Sequence, residues 1–109
     1  MQIENGTLLQ SQQALQKLSQ ADLKGIHALH LKDILGPIQK RLQRLQEVQQ
    51  DLMEREDMTE DEADEEWQMV LSDSLDVDEE PLPQKAVEDI EISAGALMTL
   101  DWLIDEDSQ

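Results

Sequence analysis

Three groups of side chains in this 109-residue chain have types and spacings that could do chemistry. His27 and His30 stand three apart, a step that puts two imidazoles on one face of a helix, within reach of one metal ion. No cysteine and no ExxH motif accompanies them, and two nitrogen ligands alone fall short of a zinc site. Asp73, Asp76, Asp78 and Glu79 offer closely spaced oxygen ligands, as a calcium loop does. They lack the central glycine and the closing glutamate at the required step. Glu62-Ala63-Asp64-Glu65 and Glu88-Asp89-Ile90-Glu91 are two ExxE elements, which on helices could hold magnesium against a nucleotide's phosphates. The second, however, falls where the sequence reads as strand. There is no glycine-rich phosphate loop, and with histidines only at 27 and 30 no Ser–His–acid set stands out. The sequence thus predicts a non-enzymatic protein, with no catalytic residue, metal or cofactor.

Charge is the stronger signal. Asp57, Glu60, Asp61, Glu62, Asp64, Glu65 and Glu66 place seven carboxylates in ten residues. On a helix those ten residues would span roughly 15 Å, about one charge per 2 Å, close to the ~1.7 Å per charge of duplex DNA. A rigid surface of that density can occupy the cationic groove of a nucleic-acid-binding protein, whereas a merely solvated acidic face would serve solubility. Residues 1–56 hold seven basic and seven acidic side chains and are neutral. Residues 57–109 hold Lys85 against the other 19 of the chain's 26 acids, so the net charge of −18 resides there. That asymmetry marks an interaction surface or a solvating segment and argues against direct binding of nucleic acid. Asp76, Asp78, Glu79 and Glu80 extend the candidate partner-binding face.

The elements that would position these groups are read from periodicity. Over Ile26–Glu56, the residues Leu31, Leu35, Ile38, Leu42, Leu45 and Leu52 recur at steps of four, three, four, three and seven, one stripe along a helix. Some 31 helical residues would reach roughly 45 Å, more than a chain of this size can cover. Gly36-Pro37 interrupts the stretch, yet the stripe stays in phase across it, which predicts a kink rather than a stop. The opposite face beyond the break is basic, with Lys40, Arg41 and Arg44. Before this helix, Asn5-Gly6 reads as a turn and Thr7 as an N-cap, with Gln10 completing a capping box. The short helix that follows (Leu8, Leu9, Leu15, Leu18) ends at Gly25 and folds back along the long one.

After it, Thr59 with Glu62 forms a second capping box for an acidic helix whose buried face is Ala63, Trp67, Val70 and Leu71. Pro81 and Pro83 exclude a regular helix over 76–92. The alternations Leu75/Val77 and Ile90/Ile92 predict short strands, joined by Ile3 in a minimal sheet or hairpin. Ser93 caps a last, largely apolar helix, AGALMTLDWLID, ahead of an acidic tail, DEDSQ. Tyr and Phe are absent and only Trp67 and Trp102 are aromatic, so the core is aliphatic. The fold expected is one mainly α domain, a helical hairpin or small bundle built on one long kinked helix. No apolar run approaches the ~18 residues of a membrane span, and MQIENGTLL does not read as a secretory signal.

The opening ENGTLLQSQQALQKL and the closing IEISAGALMTLDWLI resemble a family of small proteins of tailed bacteriophages whose function is unknown. The shared features are a leucine-rich opening helix, a long helix bearing Lys, Arg and Gln, an acidic middle, and a closing "IS…LM.L.WLI" helix. Gly36-Pro37 and the run Arg55-Glu56-Asp57-Met58, where a glycine-containing turn is expected, depart from that pattern. The resemblance implies a phage or prophage origin and a bacterial cytoplasm. Charge and resemblance together predict binding and inhibition of a host protein with a basic surface, through the acidic face as a DNA mimic. The alternative is a virion component or assembly chaperone. It would act through a packing or oligomer face of Leu31, Leu35, Ile38, Leu42, Leu45, Leu52, Leu97 and Trp102, with a homodimer as its simplest form.

Overall fold

The apolar stripe of the long helix dictates the architecture. The computed structural model describes residues 1–88 and 90–105, and the chain is mainly α, with a small antiparallel sheet. Its order is β1 (Gln2–Glu4), α1 (Asn5–Gln10), α2 (Gln12–Ser19), α3 (Gly25–Glu54), α4 (Glu60–Ser72), β2 (Ser74–Asp76) and β3 (Leu82–Pro83). A 3-10 turn (Gln84–Ala86), α5 (Ala94–Thr99) and β4 (Ile104–Asp105) follow. At 30 residues, α3 reaches roughly 45 Å along a molecule 52 Å long. It runs unbroken through Pro37, which is exposed. Proline has no N–H, so the Asp33 carbonyl loses its helical donor. Gly36, with no Cβ to crowd the following ring, lets the helical backbone continue into a proline.

Leu31, Leu35 and Ile38 are buried in the core as the stripe predicts, and Ile34 joins them fully buried. Leu45 is buried outside that cluster, and Leu42 and Leu52 are half-buried. Beyond Leu45 the helix leaves the core and is covered on one side only, by α4.

The N-terminal segment departs from the expected caps. Asn5 and Gly6 do not form a turn and Thr7 is not an N-cap; α1 begins at Asn5, straight out of β1. The reason lies in distant partners: the Asn5 backbone N–H donates to the Asp73 carbonyl and its Nδ2 to the Val70 carbonyl, both at 2.8 Å. Those two bonds tie the first turn to the end of α4 and start the helix three residues early. Ser11 separates α1 from α2, and its hydroxyl donates to the Thr7 carbonyl at 2.7 Å. Gly25 opens α3 rather than ending α2, which stops at Ser19.

In the acidic half, Thr59 caps α4 as predicted: its hydroxyl accepts from the Glu62 N–H at 3.1 Å and donates to the Glu62 carboxylate at 3.2 Å. α4 runs back antiparallel to the second half of α3, with Arg41 reaching Asp73 at 3.9 Å at its far end. Ala63, Trp67, Val70 and Leu71 are all half-buried, and α4 packs against α1 as well as α3, with Leu71 beside Gly6. β2 pairs antiparallel with β1, Leu75 opposite Ile3. Ile90 and Ile92 form no strand; they are half-buried against the core in irregular chain. β3 pairs instead in parallel with β4. That pairing shortens the last helix, since the chain must straighten by Ile104. Ser93 does cap it, accepting from Ala96 N–H at 3.1 Å.

The core is one cluster drawn from both halves: Ile3, Leu8, Leu18, Ile34 and Ile38 meet Val77, Leu82, Leu100 and Leu103. Among the described residues no helix is long and apolar enough to cross a membrane. Of the expected acidic tail, Asp105 belongs to β4, and residues 106–109 lie outside the described residues.

Candidate functional site

Helical geometry sorts the acids of α4 into two sets. A step of 100° per residue puts Glu62 and Glu65 opposite Trp67 and Glu66 to one flank, all exposed. Glu60, Asp61 and Asp64 turn the other way and line a groove with Gln49, Leu52, Met53 and Arg55 of the α3 end, and with Met58, Thr59, Ala63 and Trp67. Asp57 is exposed but precedes the helix, in the bend after α3, so the rigid run is six acids over residues 60–66. Over roughly 10 Å of helix, that keeps a charge per ~1.7 Å, though wrapped around the helix rather than drawn as one line.

Three features hold this display in place. The Thr59 cap satisfies an N–H of the first turn. Glu60, Asp61 and Glu62 occupy that turn, where the helix dipole favours negative charge. The half-buried Ala63, Trp67, Val70 and Leu71 seat the helix on its neighbours.

Asp76, Asp78, Glu79 and Glu80 do not join this surface. Asp76 closes β2, and the loop beyond it is anchored where Nε2 of His30 bonds the Glu80 carbonyl at 2.8 Å. His30 and Leu52 stand 22 residues apart on α3, roughly 33 Å by helical rise. Glu80 is thereby held toward the other end of the long axis from the start of α4, while Asp76 follows closely on Asp73, which pairs with Arg41 near the middle of α3. Asp76, Asp78 and Glu80 are exposed, and Glu79 is half-buried.

The same contact bears on the histidine pair, since one of its imidazoles is engaged by backbone. Among the described residues no three His, Cys, Asp or Glu side chains converge as a metal site would need. Of the second ExxE element, Asp89 lies outside the described residues; Glu88 and Glu91 are exposed and stand in a turn and irregular chain rather than on a helix. On the basic face of α3, Arg41 is taken up by Asp73, and Lys40 and Arg44 are exposed.

The expected packing face divides as well. Leu31, Leu35 and Ile38 are spent inside the chain's own core, and Leu97 and Trp102 are half-buried against it. Leu52 alone of that set opens onto the groove. The large apolar side chains left exposed are others: Ile26, Leu29, Val48, Met53, Met69 and Met98. Of these, Met98 lies in the closing helix that the sequence already marks as apolar; the others are scattered and carry little periodic signal.

No protein-family model, curated protein or solved structure matches the chain.

Proposed function

We propose that this is a non-enzymatic binding protein that occupies and inhibits a partner with a basic surface, with the acidic helix α4 standing in for a nucleic-acid backbone. One observation carries this reading: six carboxylates lie within the first two turns of a capped, seated helix, at a linear charge density near that of duplex DNA. A flexible acidic tail would lose such spacing to chain entropy, whereas a fixed helix presents it ready-made. The resemblance at the two chain ends adds a phage origin, and with it a host protein of the bacterial cytoplasm as the target.

The test is capture from bacterial lysate by the tagged protein and by the triple variant Glu62→Lys, Glu65→Lys, Glu66→Lys. A nucleic-acid-handling protein retained at low salt, displaced by added DNA and lost with the triple variant is the expected result. Retention unchanged by the charge reversal would overturn the proposal. Electrostatic association of this kind also weakens steeply between low and moderate salt.

The exposed Val48, Met53 and Met98 favour a second reading, an assembly factor that binds phage structural proteins by apolar contact. It predicts capture of capsid or tail proteins, indifferent to salt, to DNA and to the reversed charges.

A further inference from the structure

The groove between the end of α3 and the start of α4 has a volume of about 590 Å³, within the range of sites that take a ligand's side chains. Its apolar lining is Leu52, Met53, Met58 and Trp67; the last is half-buried, and Met53 is 80% exposed. Its rim is lopsided in charge. Glu60, Asp61 and Asp64 stand along it, and the lone cation, Arg55, is held by Asp51 of its own helix at 3.7 Å. The lining therefore offers apolar contact beneath and uncompensated negative charge at the edge.

We infer that this groove receives a basic amphipathic helix of the partner, its apolar stripe against Met53, Met58 and Trp67 and its Lys or Arg side chains against Glu60, Asp61 and Asp64. The inference rests on the acidic-surface reading above and assigns the partner's docking element. The match is one of shape and charge. Two antiparallel helices leave a channel in which a third can lie, anchored by residues at i, i+3, i+4 and i+7. Methionine lining adapts to anchors of different shape, as the unbranched thioether repacks easily. An extended basic strand would leave the apolar floor uncovered, and a purely apolar helix would leave the rim unpaired.

The probe is a fluorescently labelled 14-residue helix of Leu and Lys, with Leu at the four anchor steps, set against a scrambled peptide of the same composition. Binding to the full chain is read by anisotropy. The expected result is that the scrambled peptide binds at least ~10-fold more weakly, since loss of the stripe removes a contact worth a decade or more. Met53→Gln, chosen because an exposed side chain leaves the fold intact, weakens the amphipathic peptide roughly 5-fold. Asp61→Asn with Asp64→Asn does the same and flattens its salt dependence. Equal binding of the two peptides, or an unchanged affinity in Met53→Gln, would overturn the inference. So would self-association of the chain alone that Met53→Gln abolishes, because the groove would then belong to a second copy. Lysate capture separates this from the broader reading. Loss with reversed Glu62, Glu65 and Glu66 but full retention by Met53→Gln sinks the groove and leaves the acidic surface standing.

Discussion

The indole Nε1 of Trp102 donates to the hydroxyl of Ser11 at 3.1 Å, across 91 residues of sequence. Ser11, 1% exposed, donates its own hydroxyl hydrogen bond to the Thr7 carbonyl, so one small side chain joins the α1–α2 corner to the C-terminal segment. Ser11→Ala removes both bonds and leaves the indole N–H without its acceptor, at an expected cost of about 1–3 kcal/mol. Trp102→Phe loses only one of them. Urea unfolding of each single variant and of the double measures the coupling, and additivity of the two costs would show that the bond contributes nothing.

Asn5 is the second buried polar side chain, 1% exposed, with its Oδ1 lacking a hydrogen-bond partner among the described residues. Replacing the amide by a carboxylate of the same shape deletes the donor to Val70 and buries a charge. Asn5→Asp is therefore expected to lose about 3 kcal/mol or more near neutral pH, whereas Asn5→Ala loses about 1–2. Thermal melts of both variants decide it; equal losses would mean that water solvates the site.

Pro37 is exposed inside α3 and withholds an N–H from the Asp33 carbonyl. Pro37→Ala restores that bond, with an expected gain of about 1–2 kcal/mol after the added freedom of the unfolded chain is subtracted. Chemical denaturation reads the gain. A loss would show that the proline sets a bend the core requires.

Thr59→Ala is expected to cost about 1 kcal/mol, felt as fraying of the first turn of α4 rather than global unfolding. Amide exchange of residues 60–63 is the direct measure. Because the carboxylates are unchanged, any loss of partner binding in this variant isolates the contribution of helical order to the acidic display.

Arg41→Ala makes a useful contrast. Its ion pair with Asp73 is 3.9 Å long and the carboxylate side chain is 72% exposed, so stability is expected to move by less than about 0.5 kcal/mol. The same melts that resolve Ser11→Ala would detect a larger effect.

How far the fold could be read from sequence follows from the range of the forces involved. The α3 stripe and the Thr59 and Ser93 caps rest on spacing within a few residues, and the structure reproduces them. Thr7 misled because a local capping pattern competed with two bonds from Asn5 to residues more than 60 positions away, and the distant bonds won. Ile90 and Ile92 alternate as strand residues do, yet the ladder partners went to Leu82–Pro83 and Ile104–Asp105, a parallel match that no local pattern announces. For the candidate site, the acid run was legible as composition. Which acids turn toward the groove depended on where Trp67 seats, and that is a tertiary fact.

Both short sheets, and the bonds between Met1 and Val77, fasten the two ends of the chain onto the segment between Ser74 and Pro83. Ile3, Leu8, Leu18, Ile34, Ile38 and Val77 can meet without the C-terminal segment, but Leu82, Leu100 and Leu103 must pack over them before the core is closed. By the same topology, a cut in the linker at residues 55–59 yields two pieces, neither with a complete core. They are expected to order only on meeting one another, as a split protein does. The acidic half is thus no transplantable module: outside the company of residues 1–54 it would keep its charge and lose its shape.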